Sequence, residues 1–189
     1  ISDIEYKPVD TISGAWPSGP PRKGIARMRL NIFDLKDSAI LYLYAERANI
    51  QINPDYQRMG EIWNDDKKQL LIDSIINRFD VPKIYFHHLS DFNKKSKFEF
   101  AIIDGRQRLE AIWGFIDGTF PLAEDFKYLR DPKVQAQNLT YTELAAKYPL
   151  IKQLFDATSL AVVVVQTDEI DLIEEMFSRL NEAVPLNAA

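Results

Sequence analysis

The chain has 189 residues, a formal net charge of −5, and 46% hydrophobic and 27% charged residues, a balance that excludes wholesale disorder and a fibrous repeat and fits one globular domain. The negative charge disfavours a broad basic nucleic-acid surface, and the longest apolar stretch, Leu160 to Val165, falls far short of the roughly 20 residues of a membrane helix. With no cysteine there can be no disulfide, thiol nucleophile or zinc ribbon, which fits a reducing compartment, so a cytoplasmic location with no membrane attachment is expected.

The chain opens on Ile1 without a signal-peptide pattern, and is expected to be a piece of a longer protein. Residues 1–33 are punctuated by Pro8, Pro17, Pro20, Pro21, Gly14, Gly19 and Gly24 and read as an irregular arm, basic at Arg22, Lys23, Arg27 and Arg29. Residues 34–189 read as the domain. Asp34 is placed to cap a helix running to Arg47, with Ile40, Leu41, Leu43 and Tyr44 on its apolar face. Ile50-Gln51-Ile52 reads as a short strand ended by the turn Asn53-Pro54-Asp55. A helix is expected from Asp65 to Phe79, its apolar stripe formed by Leu71, Ile72, Ile75, Ile76 and Phe79.

Val81 to Leu89 and Lys97 to Ile103 then read as two strands, antiparallel around the polar segment Ser90 to Ser96. His87 and His88 are neighbours on the first of these strands, so they point to opposite faces and cannot chelate one metal together. Alternation of Phe98, Phe100 and Ile102 breaks at Ile103-Asp104-Gly105, and a helix to Ile116 follows with Leu109, Ile112, Trp113 and Ile116 inward. Helices are expected at Thr140 to Lys147, opened by a capping box, and at Leu150 to Asp156. Leu160 to Gln166 reads as a strand covered on both faces, and Glu169 to Leu180 as a last helix with Ile173, Met176, Phe177 and Leu180 inward.

The segment Asp104-Gly105-Arg106-Gln107-Arg108 carries the chemistry. It sits where a strand becomes a helix, so unpaired amides and the positive end of the helix dipole favour an anion there. Gly105 permits close approach of the backbone, and Arg106 and Arg108 offer planar donors suited to phosphate oxygens. Asp104 can hold Mg²⁺ or orient an arginine. The residues alone allow a plainer reading as well, in which Asp104 caps the helix and both arginines lie on its solvated face.

Ile103-Asp104-Gly105-Arg106-Gln107-Arg108-Leu109 closely resembles the DGQQR signature of the N-terminal domain of GmrSD-type restriction endonucleases. Three further pieces occur in that family's order: Pro54-Asp55-Tyr56-Gln57-Arg58 with Trp63, the helix of Lys68 to Val81, and Phe177-Ser178-Arg179-Leu180-Asn181. The resemblance implies an α+β fold of the ParB/sulfiredoxin-like kind, a small mixed sheet surrounded by helices that holds nucleotide phosphates at a helix N-terminus. It further implies a bacterial or archaeal defence role, in which this domain binds and hydrolyses a nucleoside triphosphate. DNA would be cut by a separate C-terminal HNH-type domain or partner, since His87 and His88 cannot supply such a centre here.

On this resemblance Asp104 and Gln107 are the catalytic candidates, with Asp104 the Mg²⁺ ligand. Gly105, Arg106, Arg108, Gln57, Arg58, Arg179 and Asn181 are the nucleotide or phosphate contacts, expected to converge near Asp104. Arg106 stands where the signature has its first glutamine, adding positive charge beside the phosphates. The rival reading is a non-catalytic module or scaffold that uses the same cleft for DNA or a protein.

Overall fold

In the computed structural model, the described residues are 30–54, 62–89 and 97–182. Residues 1–29 of the expected arm, the Ser90 to Ser96 segment and the Tyr56-Gln57-Arg58 motif lie outside them, while Asn31 to Phe33, expected in the irregular arm, form a strand instead. The architecture is α+β: a five-stranded mixed sheet and, among the described residues, six α-helices.

Strand β1 (Asn31–Asp34) leads to helix α1 (Ile40–Ala45), a short 3-10 turn (Glu46–Asn49) and β2 (Ile50–Gln51). Helix α2 (Asp65–Ile76) is followed by β3 (Ile84–His88), β4 (Phe100–Asp104) and α3 (Arg106–Ile116). Helices α4 (Tyr141–Lys147) and α5 (Pro149–Asp156), strand β5 (Val162–Gln166) and α6 (Ile170–Glu182) complete the domain. The strand order is β1-β5-β3-β4-β2. β3 and β4 are antiparallel as expected, whereas β3 runs parallel to β5 and β4 parallel to β2.

Alternation along the strands divides the apolar side chains between two faces. Ile84, Phe86, Ile102 and Val162 join the large core beneath α1 to α5, which also buries Ile72, Leu109, Phe115 and Phe155. On the other face, Ile103 and Val165 pack against Ile173 of α6, with Tyr85, Met176, Phe177 and Leu180 around them. Val162 to Val165 are all buried, the two-sided cover that their unbroken apolar run requires.

Helix ends follow their local chemistry where that chemistry is complete. Asn64 caps α2 by accepting from the Lys67 amide, and Thr140 and Glu143 form the reciprocal capping box of α4. Three local expectations are corrected. Asp34 does not cap a helix: it ends β1, which pairs with β5, because Asn31 to Asp34 find partners in Gln166 to Val163. Helix α1 instead begins after Ala39, which bridges to Ser159, while the Ile40 amide donates to the Thr158 carbonyl. Helix α2 stops at Ile76, short of Phe79, in a Schellman turn: the Phe79 amide donates to the Ser74 carbonyl and the Arg78 amide to that of Ile75.

His87 and His88 do take opposite faces. His87 is buried, its Nε2 3.0 Å from the Thr167 carbonyl oxygen, and His88 stacks obliquely on Phe100. Burial holds the His87 imidazole below the ordinary histidine range, opposed by the Thr167 bond and assisted by neighbouring His88. The folded state therefore resists a proton that the unfolded state accepts. Stability is complete above the ordinary histidine range and declines as the pH falls through it. Denaturant melts at stepped pH should show this decline, and a His87→Asn variant should show a flatter one. Parallel profiles would remove His87 from the account.

Candidate functional site at the β4–α3 junction

The pairing of β3 with β4 shifts register between Tyr85 and Phe86: Phe86 faces Ile102, but Tyr85 faces Asp104. Ile103 is the extra residue of a β-bulge. Strict alternation would send Asp104 to the face of Ile102, into the large core; the bulge re-aims it, and its side chain is 32% exposed. Gly105 then turns the chain with φ +98°, a left-handed conformation, and a Cβ at this position would lie 2.8 Å from Ile84 Cγ1. Glycine is required here both by backbone conformation and by space.

Helix α3 starts with no side-chain cap. The Leu109 amide donates to the Gly105 carbonyl, and the amides of Arg106, Gln107 and Arg108 have no hydrogen-bond partner among the described residues. An uncapped N-terminal turn of this kind carries a partial positive charge and free donors.

The side chains around it are held in place. Arg108 donates through Nη2 to Asp104 Oδ2 at 2.5 Å and to the Lys83 carbonyl at 3.0 Å. It is 15% exposed, and its Nε is buried without a partner. The expectation of a solvated arginine is thus corrected, because the bulge delivers Asp104 to it and the start of β3 delivers a carbonyl. Arg106 Nε donates to Glu110 Oε1 at 2.9 Å, one helical turn on. Gln107 Oε1 accepts from the Trp63 amide at 3.0 Å.

That last contact relates two sequence motifs. Strand β2 runs parallel to β4, so the chain leaving Gln51 heads towards the Asp104 end of the sheet, and it returns at Trp63 bound to Gln107. The C-terminal flank of the segment holding Gln57 and Arg58 therefore lies beside the start of α3. Gln57 and Arg58 themselves are outside the described residues, as is the Asn181 side chain. Arg179 is brought to α6, 76% exposed and paired with Glu175, and no contact joins it to Asp104 among the described residues.

The model of the GmrSD restriction endonuclease N-terminal domain family matches residues 40–189. The chain belongs to this family. In GmrSD terms the match runs from the first residue of α1 through the β4–α3 junction to beyond α6. No curated protein and no solved structure matches the chain. No helix among the described residues is long and apolar enough to cross a membrane.

Sequence reading missed the Trp63 amide, the Lys83 carbonyl and Glu110 as members of this site. Glu110 was open to detection, since it stands four residues after Arg106, and so was the Asp104–Arg108 pair at the same spacing. A backbone carbonyl from a distant strand leaves no such signal. As for a metal, Asp104 offers one carboxylate with an oxygen already engaged, and no cluster of three or more acidic or histidine side chains exists among the described residues. Magnesium keeps several waters and takes one or two carboxylates when phosphates complete its shell. Among the described residues, Asp104 is therefore the single carboxylate that the junction offers to such an ion.

Proposed function

We propose that this GmrSD-family domain binds a nucleoside triphosphate at the β4–α3 junction and serves as the regulatory, nucleotide-responsive part of a DNA-targeting restriction system. The observation that carries this reading is the run of three amides without a partner among the described residues, behind a left-handed Gly105 and flanked by Arg106. The amides and Arg106, released from its part-buried pair with Glu110, hold phosphate oxygens; Arg108 fixes the Asp104 carboxylate beside them. Bound magnesium would neutralise phosphate charge, with Asp104 as its protein ligand. Gln57 and Arg58, whose C-terminal flank at Trp63 adjoins α3, add phosphate contacts in this reading, as do Arg179 and Asn181.

Binding is better supported than turnover. Gln107, the residue proposed to orient a reacting oxygen, has its carbonyl oxygen engaged by the Trp63 amide. Hydrolysis requires that bond to open, and a ParB-like phosphate cleft that binds without hydrolysing suits a sensor equally well.

Calorimetric titration with Mg²⁺ and each nucleoside triphosphate tests the proposal. The chain should bind at least one of them, and Arg106→Ala should weaken binding about tenfold, as loss of a charge-assisted bond does. Absence of binding to every triphosphate would leave the rival reading, a DNA- or protein-binding module. The chain by itself is expected not to nick plasmid DNA in Mg²⁺ or Mn²⁺, because an HNH centre would need histidines that this sequence places elsewhere. Nicking abolished by Asp104→Ala would show the acidic site to be a nuclease.

A further inference from the structure

Behind the junction lies a cleft of about 500 Å³, lined by the ends of α2 and α5 and the entries to β3 and β5. Its walls include Arg78, Phe79, Asp80, Val81 and Ser159. Resting on the nucleotide reading above, we infer that this cleft takes the nucleoside half of the ligand, the sugar and base, while the phosphates lie at the start of α3.

The first argument is position. Val81 lines the cleft, and two residues on, the Lys83 carbonyl accepts from Arg108. Ala161, also in the lining, accepts from the Ile84 amide, and Ile84 is the residue against which Gly105 packs. The segment from Val81 to Ile84 thus runs from the cleft lining to the residues that border the start of α3.

The second argument is chemical. The lining offers an aromatic ring and a guanidinium, the two side-chain types with flat faces for stacking on a base. Phe79 is 58% exposed, an unusual state for the residue that closes a Schellman turn, where an apolar contact with the helix is common. Asp80 has no partner among the described residues, leaving its carboxylate to accept from sugar hydroxyls or base N–H groups.

The third is conformational cost. Arg78 occupies the left-handed position of the turn with φ +61°, where glycine is usual. Its guanidinium has no partner among the described residues to offset that cost. Backbone strain of this kind clusters at ligand clefts, and Arg78 is part of this cleft's lining.

The test compares Mg²⁺ nucleoside triphosphate with inorganic tripolyphosphate, by titration and by melting, on the whole chain. Arg78→Gly should melt higher than the wild type, yet bind nucleotide about tenfold more weakly. Phe79→Ala should weaken nucleotide about tenfold with unchanged melting, and tripolyphosphate should bind all three proteins alike. Nucleotide bound equally by all three would overturn the cleft assignment while leaving the junction intact. Parallel loss of tripolyphosphate would overturn it too, by showing that the variants act on the phosphates. If the wild type binds neither ligand, the nucleotide reading itself fails.

Discussion

Gly105→Ala is expected to be the most damaging single substitution in the site. Forcing an L-residue to φ +98° costs roughly 1–2 kcal/mol, and the new methyl meets Ile84 at 2.8 Å, an overpacking that adds about 1–3 kcal/mol. The sum, about 2–5 kcal/mol, corresponds to a fall in melting temperature of roughly 5–15 °C for a chain of this size. Gly118→Ala supplies the control, since Gly118 has φ +75° but open space around a Cβ, so only the backbone cost applies. Calorimetric melts of the two variants isolate the Ile84 contact as their difference. Equal melting of both would mean that the β3 wall yields to the methyl, and the close approach would not be what fixes glycine here.

The second large effect belongs to Arg108. Replacing it with alanine removes the bonds to Asp104 and the Lys83 carbonyl and leaves a half-buried carboxylate unpaired. Hydrogen bonds to charged groups contribute about 1.5–3 kcal/mol, and with part of the pair exposed a loss of about 2 kcal/mol is expected. Nucleotide affinity should fall as well, by about tenfold, because Asp104 loses its orientation. Arg108→Lys should restore only part of each, since one ammonium does not reproduce the planar fork. A cycle with Asp104→Ala separates the contributions: the double variant should be more stable than the sum of the single losses implies, with a coupling of about 1–2 kcal/mol. Additive losses would show that the ion pair contributes nothing and that Arg108 acts through packing alone.

The parts of this fold legible in the sequence are those whose causes are local. The break of alternation at Ile103-Asp104-Gly105 marks both the bulge and the start of α3, and Thr140 with Glu143 three residues on marks the start of α4. The β3–β4 pairing was readable because both strands flank one polar segment. Strand β1 was not, since Asn31 to Asp34 are exposed and acquire strand form only through β5, more than a hundred residues away. Likewise the end of α2 depends on an arginine in a conformation that propensity assigns to glycine.

The place of the motif was legible in the sequence, and the pairing of its side chains was not. The chemistry of Asp104 to Arg108 pointed to anion binding at a helix start, and the structure places the motif at the start of α3, where no side chain caps the helix. What sequence reading could not supply is that every side chain in the motif is already engaged: Arg106 with Glu110, Gln107 with Trp63, Arg108 with Asp104 and Lys83. These partners come from the next helical turn, from the return of the α2 connection and from the entry to β3. Only folding brings the last two within reach. In the proposed reading the amides and Arg106, once freed from Glu110, contact phosphate, and Arg108 positions Asp104.

The central claim is that the free amides at the start of α3 receive phosphate oxygens, and amide chemical shifts report on those atoms directly. Titrating the ¹⁵N-labelled chain with a Mg²⁺ nucleoside triphosphate should move the Arg106, Gln107 and Arg108 amide resonances first and saturably, with the amides of α4 unmoved. Saturable shifts confined to other elements, with these three amides stationary, would contradict the account.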